Sequence, residues 1–213
     1  MHDPARMRLT ALERAAASNH AALVTAAAQA TRAAEAGNGL GAVVLVEGIS
    51  DRLAVEALAR RRGRHLDREG VAVVAMGGAQ SIGAFLTLFG PQGFDVGLAG
   101  LCDAREEPDF RRGLARAGLG SLGFFVCVED LEDELIRSLG PAVVATIIES
   151  QGERRAFETF VKQPAQQGRT RQAQLRRFMG TKGGRKIRYA PLLVRALDLT
   201  RVPRPLDRLL AHV

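Results

Sequence analysis

The chain has 213 residues, 46% of them hydrophobic and 25% charged, with a formal net charge of +7. This is enough for one ordinary domain with a side layer and a core that needs no staples, and it excludes the disordered and fibrous classes. With no Trp and a single Tyr, Tyr189, a binding surface of stacked aromatics is not expected.

In residues 9–36 the sequence is Ala-rich, and Glu13, Arg14, Arg32 and Glu35 fall at helical spacing. That predicts a helix ended by Gly37-Asn38-Gly39 and argues against a secretory signal. Ala42–Val46 is a short β-branched run and predicts a buried strand. Asp51–Arg62 comes next as a helix with Leu53, Ala57 and Leu58 on one face. Val71–Met76 is a second strand. Gly77-Gly78 turns the chain into a helix with Ile82, Phe85, Leu86 and Phe89 at i, i+3, i+4, i+7. Val96–Cys102 is a third strand, Glu106–Ala117 a helix, and Gly123–Val128 a fourth strand. Asp130–Leu139 is a helix with Leu131, Leu135 and Ile136 inward.

Strand and helix alternating four times predicts an α/β fold: a four-stranded parallel sheet with helices on both faces and right-handed crossovers. Beyond residue 140 the pattern becomes helical, over roughly 141–162, 169–179, 185–198 and 204–211. Pro164, Gly168, Gly180, Gly183-Gly184, Pro203 and Pro205 punctuate it. The expected organisation is an N-terminal helix (1–39), an α/β core (40–139) and a basic helical extension (140–213).

Cys102 and Cys127 both sit in apolar runs and read as reduced core residues of a cytosolic protein. His2, His20, His65 and His212 are scattered without zinc spacing. No apolar run approaches the ~20 residues a bilayer span needs. No membrane association and a cytoplasmic location are therefore expected.

The charge is uneven. Residues 152–213 hold 15 basic and 4 acidic residues, whereas 1–151 hold 15 basic and 19 acidic. Lys162 to Arg188 carries nine cations and no acid. Such a run points to a polyanion, nucleic acid foremost, held by Lys162, Arg169, Arg171, Arg176, Arg177, Arg185 and Arg188. A solvated Arg-rich helix is the alternative. Only three of the 30 basic residues are Lys, and two of them, Lys182 and Lys186, share one Gly-containing segment. Lys is a compact point charge that contacts phosphate oxygens and titrates where Arg does not, which motivates a role for one of them.

In a parallel sheet the carboxyl ends of the strands share one edge, where ligands bind. Three of the four strands end in acid. Glu47 follows the first, with Asp51 one helical turn on. Asp103 follows the third, then Glu106 and Glu107. Glu129-Asp130 follows the fourth, then Glu132. Crowded carboxylates repel and want cations, and hard oxygen donors suit Mg²⁺ or Mn²⁺. Two such ions can activate a water and stabilise the leaving oxygen of a phosphodiester. Asp51 and Asp130 could instead be helix caps, and Glu106 a favourable helix N-terminal charge. Glu47 is hardest to explain that way, since it directly follows Val43–Val46 and precedes Gly48.

The stretch from Val43 to Asp51, a strand-end Glu followed by Gly and then an acid one turn later, resembles the opening motif of Toprim domains. The segments Val73–Gly78, Gly100–Asp103 and Asp130–Glu132 fit the same scheme. Together they are most similar to the Toprim domain of the OLD (overcoming lysogenization defect) nucleases, over roughly residues 40–200. The resemblance implies a Toprim-like, Rossmann-like fold that binds two Mg²⁺ or Mn²⁺ ions and cleaves nucleic-acid phosphodiesters, DNA favoured. It implies Glu47, Asp51, Asp103 and the Asp130/Glu132 pair as metal-ligand positions, and the reading of the strand-end acids adds Glu106 as a further candidate ligand. It also implies Glu47 as a catalytic residue and Lys186, or failing it Lys182, as the lysine at the scissile phosphate. One departure is that the usual D-x-D at strand three is here Asp103-Ala104-Arg105-Glu106-Glu107, so the second acid is shifted or supplied by Glu. OLD proteins also carry an ATPase domain, whereas this chain has no G-x-x-x-x-G-K-[S/T] loop. Either it works alone, or an ATPase is a separate subunit.

Three other readings compete. One is a non-catalytic nucleic-acid-binding or scaffold module on a decayed Toprim fold. A phospho-accepting receiver domain fits worse, because Glu129 stands where a hydroxyl residue is needed. A topoisomerase needs a tyrosine nucleophile, and Tyr189 lies in the basic helix with the wrong surroundings.

Overall fold

The computed structural model describes the backbone of residues 4–37, 39–120 and 123–213, with side chains from His20 onward within them. His2, Asn38 and the side chains of Glu13 and Arg14 lie outside the described residues. In chain order the elements are α1 (Pro4–Ala36), β1 (Ala42–Val46), α2 (Ile49–Arg61), β2 (Val71–Ala75), α3 (Ile82–Phe89), β3 (Gly97–Asp103), α4 (Glu107–Arg116), β4 (Phe124–Cys127), α5 (Leu131–Leu139), α6 (Pro141–Ser150), α7 (Arg154–Val161), α8 (Arg171–Gly180), α9 (Arg185–Ala196) and α10 (Arg204–His212).

The four strands form one parallel sheet in the order β2-β1-β3-β4. In register, Val44 lies between Val73 and Ala99, and Asp103 at the end of β3 faces Cys127 of β4. Because side chains alternate across a strand, β1 feeds two cores. Val44 and Val46 join Val71, Val73, Ala99, Leu101 and Cys127 on one face, covered by α2 and α5 through α10. Val43 and Leu45 join Ala72, Val74 and Cys102 on the other, covered by α1, α3 and α4. With both faces covered, the strands read as continuous apolar runs instead of alternating ones.

The helices after residue 140 share the core of the α2 face: Val144, Ile148, Phe157, Phe178, Tyr189, Leu193 and Leu209 belong to the same apolar cluster as Val44 and Leu58. The expected helix over 141–162 is two helices, α6 and α7. Gly152 between them takes φ +70, a left-handed conformation that suits Gly at a helix end. Both cysteines are free and buried, and burial pushes the Cys102 thiol up to about 12 and Cys127 higher still. No described helix is long and apolar enough to cross a membrane.

Candidate metal centre

The carboxyl edge of the sheet is built by short, sharply turned connections. Glu47 leaves β1 directly, and its backbone carbonyl accepts from the N–H groups of Gly77 (2.9 Å) and Gly78 (3.3 Å). Those glycines have φ of +76 and +127, which lets the chain leaving β2 fold against Glu47 where an L side chain would be strained. Gly48 starts α2, and its N–H donates to Asp51 Oδ2 at 2.9 Å. Asp51 is thus a helix cap and also points its carboxylate back at the strand end. Asp103 is the last residue of β3, and the Glu106 N–H donates to its carbonyl at 3.0 Å. Asp130 caps α5, its Oδ1 accepting from the Asp133 N–H at 2.8 Å.

The electrostatics record the crowding. Asp51 is raised from 3.8 to about 7, by burial first and then by Glu132 and Glu47. Asp103 is raised to about 8, again by burial and then by Glu47, Asp130, Asp51 and Glu106. Glu106 is raised to about 7 by burial and by Glu47, with which it shares a hydrogen bond. Two carboxylates bonded to one another need a proton or a cation between them. Acids expected at one place from three separate strand ends are therefore mutual electrostatic neighbours.

Protein cations serve one flank of this edge. Lys186 Nζ donates to Glu132 Oε2 at 2.8 Å and lies 3.9 Å from Asp130 Oδ2. Burial works against its charge, but Glu132, with Asp130 and Asp51, outweighs that and holds its pKa above the ordinary value. Arg176 Nε donates to Asp130 Oδ2 at 2.7 Å, and its Nη1 to Glu129 Oε2 at 3.1 Å. Of the two lysines singled out in the sequence, Lys186 is at the acids. Lys182 is exposed, in the turn between α8 and α9.

Among the described residues, no three Asp, Glu, His or Cys side chains are gathered into a finished ion cage. The donor chemistry nevertheless fits a hard divalent ion. Glu106 Oε2 and Glu132 Oε1 are buried with no hydrogen-bond partner. An orphaned buried carboxylate oxygen is costly, and a cation is the partner that relieves it.

The basic run divides in two. Lys162, Arg169, Arg171, Arg177 and Lys182 are exposed, with Arg171 lying over the Phe157 ring at 4.3 Å. Two members are placed differently from the expectation that they grip nucleic acid. Arg185 is only 7% exposed; it is bonded to Glu153 and stacked 3.8 Å over Phe178, so it serves the fold. Arg176 is turned inward to the acids. Arg188 is exposed but bonded to Glu153. Sequence reasoning missed Glu153, which accepts from Arg185, Arg188 and Tyr189. Its one signal was its place among only four acids in residues 152–213, against 15 basic residues.

Residues 41–104 match the family of the overcoming lysogenization defect protein-like TOPRIM domain. That segment of the chain is matched as an OLD-like Toprim domain. The C-terminal region of the Burkholderia pseudomallei OLD protein is 22% identical, with a TM-score of 0.62 over 81% of this chain and 96% of that one. The C-terminal region of the Xanthomonas campestris pv. campestris OLD protein is 25% identical, with a TM-score of 0.59 over 80% and 93%. The structural likeness therefore extends over more of the chain than residues 41–104. No curated protein sequence matches the chain.

Proposed function

We propose that this OLD-like Toprim domain is a nuclease that cleaves phosphodiester bonds of nucleic acid, DNA favoured, using Mg²⁺ or Mn²⁺ at the acidic edge. The observation that carries the reading is the meeting of Glu47, Asp51, Asp103 and Glu106 with Asp130, Glu132 and Lys186 at one sheet edge. Glu47, Asp51, Asp103 and Glu106 would hold one ion, and Asp130 with Glu132 a second. Bound there, such ions supply an activated water and stabilise the departing oxygen.

The chain's own residues do the rest. Lys186 is held cationic beside the acids and offers its ammonium to a phosphate oxygen, where charge develops in the transition state. Lys162, Arg169, Arg171, Arg177 and Lys182 hold the backbone from the exposed side of α7 to α9. Arg176 keeps Asp130 and Glu129 from repelling that backbone.

The test is cleavage of plasmid and single-stranded substrates with Mg²⁺ or Mn²⁺, against EDTA, for wild type and Glu47→Ala. Metal-dependent cleavage lost in the variant is the expected result. A second reading, a non-catalytic nucleic-acid-binding module, is favoured by the prior engagement of Asp130 and Glu132 with Arg176 and Lys186. Salt-sensitive binding of nucleic acid without cleavage under any metal would select it.

A further inference from the structure

Glu153 is the acceptor at the centre of a partly buried clasp. It stands at the N-terminus of α7, with its side chain 14% exposed. Its Oε1 accepts from Arg185 Nη2 at 3.0 Å, and its Oε2 from Arg185 Nε at 3.2 Å and from the Tyr189 hydroxyl at 2.9 Å. Arg188 adds a further contact to Oε2. Burial alone would raise this carboxyl, yet its bonds to Arg185 and Tyr189 hold it below the usual range.

The clasp closes a loop end to end. Arg185 Nη1 donates to the Phe178 carbonyl at 2.8 Å and to Thr181 Oγ1 at 2.6 Å, so the last turn of α8 is bonded to the first residue of α9. The Lys182-Gly183-Gly184 turn lies between them. Gly184, with φ +79, precedes α9 and offers no side-chain cap. Two glycines and an uncapped helix start are by themselves a poor anchor for the first turn of α9. That turn carries Lys186, the residue next to Arg185, whose Nζ reaches Glu132 across the α5 boundary. From this one turn Arg185 reaches Glu153 and the adjacent Lys186 reaches Glu132.

We infer that Glu153 is a positioning residue: by clamping Arg185 and Tyr189 it fixes the first turn of α9 so that Lys186 meets the acidic edge. Its place in catalysis rests on the nuclease reading; its effect on Lys186 does not. A shift of about 1 Å at a reacting group costs up to roughly a hundredfold in rate, so a residue out of reach of the acids can govern the lysine that serves them.

The chain has three lysines, which makes a zero-length carbodiimide cross-link diagnostic. The reagent joins an amine and a carboxylate already in contact as an amide, with loss of water. In the metal-free wild type, mass spectrometry should find Lys186 joined to Glu132. Glu153→Gln keeps the shape but removes the charge that holds Arg185, and should lower that yield about tenfold. Tyr189→Phe keeps the ring in the core and removes only the hydroxyl bond, so it should give an intermediate yield. Glu158→Gln, an exposed acid on the same helix paired with Arg154, should leave the yield unchanged. On the nuclease reading, Glu153→Gln should also lower kcat while KM stays constant.

A folded Glu153→Gln protein with wild-type cross-link yield overturns the inference, as does a wild type that gives no Lys186–Glu132 product. If Glu153→Gln does not fold, Tyr189→Phe decides, and an unchanged yield there overturns it. Because the cross-link needs no cleavage activity, failure of the nuclease reading leaves this result standing.

Discussion

Replacing Asp51 by Asn tests the electrostatics of the acidic edge without metal or substrate. Asn is nearly isosteric, and its Oδ1 can still accept from the Gly48 N–H, a 2.9 Å bond in the native protein. What it removes is a charge that burial, Glu132 and Glu47 disfavour, raising Asp51 from 3.8 to about 7. Between about pH 4 and 7 the folded metal-free protein keeps a proton that the unfolded chain has released, so stability is lost as pH rises through that window. At ~1.4 kcal/mol per unit, a shift of about three units sets a ceiling of about 4 kcal/mol. Neighbouring carboxylates share the repulsion, so an effect of about 1–2 kcal/mol is expected above pH 7. In a chain of this size that is a rise in Tm of roughly 2–8 °C. The gain at pH 5 should be about a third of that at pH 8, because only part of the window has then been crossed. Thermal melts of both proteins in EDTA at the two pH values measure it. A variant gain that does not grow between pH 5 and 8 would refute the reasoning.

Millimolar Mn²⁺ should raise the wild-type Tm, since a ligand bound only by the native state stabilises it by mass action; differential scanning fluorimetry of Glu47→Ala and Asp103→Asn should show most of that rise gone. Arg171→Glu with Arg177→Glu, both exposed, should weaken nucleic-acid binding and flatten its salt slope by about two units, because each phosphate contact releases roughly one counterion. Arg185→Met should behave in the opposite manner: it strips the partly buried Glu153 of its main partner, costing about 1–3 kcal/mol in denaturant melts, and should leave the salt slope alone wherever the protein stays folded. Lys186→Ala should slow cleavage with little change in binding, as expected of a contact that strengthens only in the transition state, whereas Lys182→Ala should affect binding more than rate.

The sheet was legible because its strands are buried on both faces: Val43 to Val46 and Val71 to Val74 are apolar without a break, a pattern that separates parallel strands from their amphipathic connecting helices. The acids could be placed by the same logic, since parallel strands deliver their carboxyl ends to one edge whatever the strand order. The order itself, with β1 inside and β2 at the rim, was not written in any local pattern. The cations of the C-terminal helices were harder still. Nine basic residues in a run look alike in sequence, yet Arg176 turns in to Asp130, Arg185 is buried on Glu153, and Arg177 stays in water. Helical period alone does not separate them, because what draws Arg176 and Arg185 inward is an acid more than thirty residues away. A partly buried carboxylate such as Glu153 fixes which arginine it takes through long-range packing of α7 on α8 and of α8 on α9. The division of that basic run into exposed cations and internal counter-ions is thus a property of the folded core.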